Sequence, residues 1–171
     1  METERLIIKN IETEEELSAL LTMYNKADNM RYIQSGKCSW TRKELEDRYG
    51  LSDSAIKITD YGFFVVKLKE GNRIIGEAGI FDSFHSESKV EIGYIIDSAY
   101  WNKGYGTEVC LALINYIQMK LKQCEEIIAR MYEDNTGSIR VCEKAGFRLY
   151  EKGKTAEERL FREYRLSVSD R

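Results

Sequence analysis

Apolar residues return along the chain at helical spacing in two early segments. Between residues 12 and 26 they recur every three or four positions, which is the spacing of one helix face. Thr13 is the predicted N-cap, and the three glutamates after it suit the first turn of a helix. A second helix is predicted over residues 41–49, where a threonine and a glutamate three positions later form a capping-box pair. The connector, residues 29–39, has no period and is predicted to be a loop.

Shorter apolar runs predict strands, because they are brief and are bounded by turn-forming residues. Two of them, residues 62–69 and 73–81, are joined by Glu70-Gly71-Asn72 and predict a β-hairpin. The predicted strands are residues 5–9, 62–69, 73–81, 89–97, 127–132, 147–151 and 160–168.

Two later helices alternate with the last strands. The first is predicted from Glu108 to about Leu121, with apolar residues every fourth position, and the second over residues 134–144, with Gly146 as the expected C-cap. This order predicts an α/β (mixed α+β) fold with a central mixed, mostly antiparallel sheet of about seven strands and helices on both faces. No internal repeat or linker interrupts the pattern, so residues 1–171 are predicted to form a single domain.

Composition narrows the class of protein. The chain has 171 residues, 43% hydrophobic and 32% charged, which is typical of a globular protein. A net charge of −3 predicts no general attraction to nucleic acid. No apolar run approaches the roughly 20 residues that span a membrane, and the acidic start lacks the features of a signal peptide. We therefore expect a cytoplasmic protein with no membrane partner; the sequence does not indicate its oligomeric state.

The residues that commonly bind metals are few and scattered. The four cysteines, Cys38, Cys110, Cys124 and Cys142, form no CxxC pair, and His85 is the only histidine. Because a zinc site needs closely spaced ligands, we expect no metal and reduced thiols.

One stretch, Tyr100 to Thr107, lies between a predicted buried strand and a predicted helix. The first amides of a helix have no intrahelical partner, and the helix dipole adds roughly half a positive charge there. Gly104 and Gly106 allow a sharp bend and close approach to a ligand, so this turn predicts an anion site, with a pyrophosphate as the natural guest. A tight turn without a ligand explains the same glycines. Neither a phosphate-binding loop motif nor the third glycine of a dinucleotide fingerprint is present.

Four stretches together resemble the GNAT superfamily of N-acetyltransferases, which use acetyl-coenzyme A, and within it the branch that acetylates ribosomal-protein alanine and serine N-termini. They resemble, in order, the opening strand, the central strand, the coenzyme A loop and the late helix of that branch. The stretches are Thr3-Glu4-Arg5-Leu6, Glu91-Ile92-Gly93-Tyr94, Trp101 to Glu108 and Asn135 to Phe147. The resemblance implies a GNAT-like fold and acetyl-coenzyme A as co-substrate.

The resemblance also implies which residues bind the coenzyme. Backbone amides of the loop and helix start would hold the pyrophosphate, and the central strand would pair with the pantetheine arm like an added strand. The implied residues are Asn102, Lys103, Gly104, Tyr105, Gly106 and Thr107 for the pyrophosphate, Tyr94, Ile95 and Ile96 for the pantetheine, and Asn135. Lys103 either contacts phosphate or is solvated. Asn135 binds the pantetheine region, caps its helix, or does both.

The sequence departs from the family at Cys142, where many members carry a tyrosine that acts as general acid to the departing thiolate. A thiol with a reference pKa near 8.5 can donate a proton. The alternative is a small buried residue on an amphipathic helix, which is the interpretation we favour.

Removal of the acceptor proton needs a base. Lysine-like amines cost roughly 4–5 kcal/mol to deprotonate at neutral pH and α-amines about 1 kcal/mol, so a modest carboxylate suffices for an α-amine. Glu91, at the start of the central strand, is the first candidate, with a solvent-facing structural carboxylate as its alternative. Glu77, on a neighbouring strand, is the weaker second candidate.

The predicted function is transfer of the acetyl group to a primary amine, most simply a protein N-terminal α-amine. A small-molecule amine, such as a polyamine, an amino acid or an antibiotic, is the alternative acceptor. A non-catalytic acyl-coenzyme A sensor on the same fold is the alternative class.

Overall fold

The computed structural model describes residues 1–33, 36–50, 61–86 and 88–168. The described residues form seven strands and five α-helices, with short 3₁₀ turns before β3 and after β4. The elements are β1 Leu6–Lys9, α1 Glu14–Tyr24, α2 Ala27–Met30, α3 Arg42–Arg48, β2 Gly62–Leu68, β3 Ile74–Phe81, β4 Lys89–Ile96, α4 Tyr105–Lys120, β5 Glu126–Tyr132, α5 Thr136–Lys144, β6 Arg148–Lys154 and β7 Leu160–Ser167.

All seven strands belong to one sheet with the order β1-β2-β3-β4-β5-β7-β6. Only the β4–β5 pair is parallel, so the prediction of a mixed, mostly antiparallel sheet is confirmed. β4 and β5 also pair over only a small part of their lengths. Register runs from Lys89 opposite Glu126 to Glu91 opposite Ile128 and then stops. Beyond Glu91 the two strands diverge, which leaves a wedge beside the second half of β4.

Helices cover both faces of the sheet, as predicted. α4 and α5 pack on one face and enclose the larger apolar core with alternate residues of the strands. α1, α2 and α3 pack on the other face, over Val65 and Ile95. Because side chains alternate along a strand, β4 presents Tyr94 and Ile96 to the α4–α5 side and Ile95 to the α1–α3 side.

Local sequence signals account for three of the helix ends. Thr13 caps α1 and Thr41 caps α3, each in a reciprocal capping box with the glutamate three residues on. α5 ends before Gly146, whose φ of 92° suits the residue after a C-cap. The predicted hairpin is confirmed, with β2 antiparallel to β3.

Several element boundaries differ from the predictions by a few residues; β6, for example, ends at Lys154 and not at residue 151. Two further differences concern helices. The connector predicted as a loop begins with a helical turn, α2, which has no side-chain cap and is held by the buried Asn29 and Met30; residues 34 and 35 of that connector lie outside the described residues. α4 begins at Tyr105, three residues earlier than predicted, because Gly104 takes the left-handed conformation and serves as its N-cap. Gly106 and Thr107 therefore belong to the first helical turn.

The longest described helix, α4, has 16 residues. No helix among the described residues is long and apolar enough to cross a membrane. Nor do the described side chains include a group of three or more His, Cys, Asp or Glu placed to hold a metal ion.

Candidate functional site

A cavity of about 510 Å³ opens at the end of β4, where the strand leaves β5. Its walls are the second half of β4, the turn after it, the first turns of α4 and α5, and residues of and just after α2. Every residue predicted to bind the coenzyme lines this cavity except Lys103. Residues that are far apart in sequence are thus brought together in one place.

The turn between β4 and α4 presents unpaired backbone donors. Asn102 and Gly104 both have positive φ, 60° and 83°, which turns the chain sharply into the helix. The first amide with a helical partner is that of Glu108, which donates to the Gly104 carbonyl at 3.1 Å. The six amides of residues 102–107 make no hydrogen bond to any described residue. An anion placed there would satisfy donors that are otherwise left to water.

The packing of the protein does not require a glycine at position 106. A Cβ built on it would lie 3.5 Å from Tyr94 Cε2 and 3.5 Å from Val141 Cγ2, which are ordinary van der Waals distances. Its backbone is helical, so no special conformation demands glycine. Gly106 lines the cavity, and the absence of a side chain there leaves its backbone open to close approach from the cavity.

The hydrogen-bonding phase of β4 decides which of its backbone groups face the wedge. Asp97 N donates to Ile75 O at 2.8 Å, so the odd-numbered residues of β4 bond to β3. The backbone groups of Tyr94 and Ile96 therefore point toward the wedge, whereas those of Ile95 point toward β3. The Ile96 carbonyl is already taken, because Trp101 Nε1 donates to it at 2.6 Å. Tyr94 N–H, Tyr94 C=O and Ile96 N–H remain as the edge along which a ligand can pair.

The start of α5 forms the opposite wall. Asn135 caps the helix, its Oδ1 accepting from Ser138 N at 3.1 Å. Its Nδ2 group donates to no described residue, so the capping role leaves a donor for a ligand. Arg140 and Lys144 also line the cavity, one helical turn apart, and neither pairs with a described carboxylate. Sequence reasoning missed this pair of cations, although their spacing of four in a predicted helix was visible.

Lys103 lies outside the cavity lining. Its ammonium donates to the Ala99 carbonyl at 3.1 Å and lies 5.3 Å from the centroid of the Tyr100 ring. The side chain therefore braces the turn in this conformation, and only its backbone amide faces the predicted anion site.

The Tyr94 hydroxyl is buried without a hydrogen-bond partner among the described residues. Its ring packs against Gly106 and Val141, beside the cavity. Burial raises the pKa of Tyr94 well above its ordinary value, so the hydroxyl stays protonated. Ser138 is the polar side chain close enough to act in the opposite direction, but its placement does not meet the geometry of a hydrogen bond to the hydroxyl.

Tyr94→Phe is expected to stabilise the ligand-free protein by about 1 kcal/mol, because a buried unpaired hydroxyl costs about 1–3 kcal/mol. Tyr164→Phe is the matched control. The Tyr164 hydroxyl donates to Glu143 at 3.2 Å, so its loss is expected to destabilise by about 0.5–1.5 kcal/mol. Urea denaturation of the three proteins gives the comparison, and a destabilised Tyr94→Phe would show that its hydroxyl is bonded.

Cys142 lies in the core between the sheet and α5, with 1% of its surface exposed, and does not line the cavity. Burial, reinforced by Cys110 and Glu143, raises the pKa of its thiol far above the usual range. This placement supports a packing role. The thiol stays neutral and does not line the cavity. Nothing in this geometry calls for Cys142 to act as a proton donor.

Cys142→Ala is therefore expected to retain acetyl transfer within roughly tenfold, since a working general acid contributes about 10²–10⁴. The initial rate at saturating substrate, measured on protein shown by circular dichroism to be folded, checks this. A hundredfold loss in a stable variant would assign the thiol a chemical role.

The two candidate bases share a sheet face but differ in surroundings. Glu91 is the last residue of β4 that pairs with β5, so it lies where the wedge begins. Its side chain is 20% exposed, and its nearest cation, Arg130, is 3.7 Å away. Neither Glu91 nor Glu77 lines the cavity.

Glu77 lies opposite Ile95 on β3 and is 3% exposed. Tyr24 donates to its carboxylate at 2.6 Å, Tyr49 donates to the same oxygen, and Arg48 is 3.6 Å from the other. Burial raises the pKa of Glu77 and outweighs these three neighbours. The carboxylate is thus held by donors on the α1–α3 side of β4.

The wedge in the sheet and the unpaired amides at a glycine turn lie side by side along one cavity. The family model of the acetyltransferase (GNAT) domain matches residues 5–148. The chain belongs to the GNAT family, and it is an acetyl-coenzyme A-dependent N-acetyltransferase.

Solved structures agree with this assignment. A GNAT-family acetyltransferase from Bacillus anthracis is 26% identical and superposes with a TM-score of 0.85, covering 99% of each chain. RimL, a ribosomal L7/L12 α-N-protein acetyltransferase in complex with coenzyme A, is 16% identical with a TM-score of 0.82 over 99% of this chain and 97% of that one. A spermidine N-acetyltransferase from Vibrio cholerae, in complex with coenzyme A and spermine, is 17% identical with a TM-score of 0.81 over 98% of each. At such low identity the last two share the fold alone.

Proposed function

We propose that the protein transfers the acetyl group of acetyl-coenzyme A to the α-amine of a protein N-terminus by direct attack. The two distant structural neighbours acetylate a protein α-amine and a polyamine, so the fold leaves the acceptor open. The charges on the α1–α3 face of the sheet favour the former.

The observation that carries the choice is the pairing of three carboxylates on that face, among the residues that the structure describes. Glu77 is paired with Arg48, and Glu91 with Arg130. Glu163 is paired with both Arg130 and Arg165 at 2.9 and 2.6 Å. A polyamine carries several positive charges and needs unpaired carboxylates, which these three do not supply. An α-amine reacts as the neutral form, brings no such requirement and costs only about 1 kcal/mol to deprotonate.

Coenzyme binding follows from the cavity walls. The amides of residues 102–107 receive the pyrophosphate, and the free groups of Tyr94 and Ile96 pair with the pantetheine amides. Arg140 and Lys144 supply positive charge for the remaining phosphate, as charge-assisted contacts. Asn135 Nδ2 donates to the pantetheine region while its Oδ1 caps α5.

The reaction needs three contributions from the chain. Glu91 accepts the amine proton, directly or through water, so that the nitrogen lone pair can attack the thioester carbon. A backbone amide of β4 that faces the wedge stabilises the tetrahedral oxyanion. The C–S bond then breaks with its electron pair on sulfur, and the attacking nitrogen loses its second proton, which passes through water to the thiolate.

An acceptor panel at neutral pH tests the proposal. The probes are a lysine-free peptide with a free α-amine, the same peptide with a blocked N-terminus and one lysine, and spermidine. We expect kcat/KM for the free α-amine to exceed that of the blocked peptide by about 10² or more, since deprotonation of a lysine-like amine costs about 3 kcal/mol more. Preference for spermidine or lysine would overturn the α-amine assignment. Tight coenzyme A binding without turnover of any probe would indicate the sensor class instead.

A further inference from the structure

Arg5, immediately before β1, contacts the beginning of α4 although 98 or more residues separate them in sequence. Its Nε donates to Glu108 Oε2 at 2.7 Å, and its Nη2 lies 2.6 Å from the same oxygen. Its Nη1 donates to the Lys103 carbonyl at 3.0 Å, and the guanidinium lies 4.3 Å from the centroid of the Tyr105 ring. One side chain therefore holds both ends of the turn that carries the free amides.

Glu108, in the first turn of α4, is the partner that makes this contact matter. Its carboxylate also accepts from the Thr3 hydroxyl at 2.5 Å and from the Arg5 backbone amide at 2.9 Å. Burial acts to raise the pKa of Glu108, but these bonds outweigh it and lower the pKa, so the group is charged at neutral pH. A negative charge next to the predicted phosphate site would oppose an anionic ligand unless a cation offsets it.

We infer that Arg5 is a positioning residue for the pyrophosphate of coenzyme A. It fixes the conformation of the turn through Lys103 and Tyr105 and offsets the charge of Glu108, so that the amides of residues 102–107 face the ligand in a net positive field. Arg5 is absent from the cavity lining, so it acts through the turn and not by touching the ligand. This inference rests on the proposed binding of the coenzyme at that turn.

The test compares an acetyl donor that has the nucleotide with one that lacks it. Arg5→Met keeps the apolar stem and removes the charge and the donors. The KM for acetyl-coenzyme A is expected to rise about tenfold or more, with kcat at saturation within twofold. With acetyl-pantetheine, which lacks the pyrophosphate, KM is expected to change less than twofold. Arg42→Met is the matched control, because Arg42 forms exposed ion pairs with Glu14 and Glu46 outside the cavity lining.

Two further variants and one binding measurement complete the design. Arg5→Lys, which keeps the charge, is expected to recover part of the affinity, as is Glu108→Gln placed in the Arg5→Met background. Calorimetry with 3′-phosphoadenosine diphosphate reports the pyrophosphate site without catalysis.

Equal loss with both acetyl donors, no loss with either, or no recovery in the charge-restored variants would overturn the inference. Parent protein that binds neither coenzyme A nor the nucleotide would instead overturn the proposed function, so the two failures are distinguishable.

Discussion

Gly106→Val is expected to weaken coenzyme A binding at least tenfold, which corresponds to about 1.4 kcal/mol. Gly106 lies in the first turn of α4, on the cavity wall, between amides that have no partner in the described part of the chain. The branched side chain would occupy the space through which the pyrophosphate reaches those amides. Isothermal titration calorimetry with coenzyme A measures the change directly.

Gly106→Ala is the companion variant, because it adds a smaller side chain at the same position. Its Cβ would meet Tyr94 and Val141 at ordinary contact distances of 3.5 Å, so the fold accepts it. Alanine inside a helix is more stable than glycine by roughly 0.5–1 kcal/mol. We therefore expect equal or greater thermal stability together with a smaller loss of affinity than in the valine variant. Unchanged affinity in a folded Gly106→Val would remove the pyrophosphate from this turn.

Sequence patterns were sufficient to predict the strands and the longer helices, because the signals for these elements are local. The capping boxes at Thr13 and Thr41 and the apolar repeat of α4 each involve residues within one or two turns of one another. α2 escaped prediction because no side-chain cap marks it and one of the bonds that hold it is distant in sequence: Asn29 donates to Met23 O, six residues away, and accepts from Ser98 N, 69 residues away. Propensity over four residues carries too little information to predict such a helix.

The part of the candidate site that is formed by the backbone of one continuous segment could be predicted from the sequence. Strand, glycine turn and helix are consecutive in sequence, so the amides of residues 102–107 could be placed without a structure. The wedge could not, because it depends on where β5 stops pairing with β4, and β5 follows an entire helix. The contact between Arg5 and Glu108 spans 103 positions and was likewise invisible, although both residues lie in the stretches that carry the family resemblance.

The choice between Glu77 and Glu91 as the proposed base was the least predictable from sequence, because the proposal depends on how far each side chain is buried. Glu77 and Glu91 are similar in sequence, each a glutamate within an apolar strand. In the fold, Glu77 is 3% exposed and its oxygens are engaged by two phenols and a guanidinium. Burial therefore leaves Glu77 little access to an acceptor amine or to water. Glu91 retains access, with 20% of its side chain exposed and a single contact to Arg130 at 3.7 Å.

Glu91→Gln is accordingly expected to lower the turnover number by about 10² or more, the low end for a positioned base. The substitution keeps size and hydrogen bonding but removes basicity, so coenzyme A affinity should change little. Glu77→Gln is the matched comparison on the neighbouring strand, and it should alter stability more than rate, because the amide cannot accept from all three of its donors as the carboxylate does.

The pH dependence of kcat/KM distinguishes the two carboxylates. In the parent enzyme we expect the rate to rise with pH through the pKa of the base or of the free amine, whichever limits. In Glu91→Gln only the ionisation of the amine should remain, with a pKa near 7.7–8.0 for a peptide α-amine or near 10.4 for a lysine-like one. The pH at which kcat/KM of this variant rises therefore also reports the class of acceptor. If Glu77 were the base, the limb would lie above the ordinary glutamate range, because burial raises its pKa, and it would vanish in Glu77→Gln. A Glu91→Gln enzyme with unchanged rate and profile would make Glu91 a structural partner of Arg130 and leave the amine to arrive already neutral from solution.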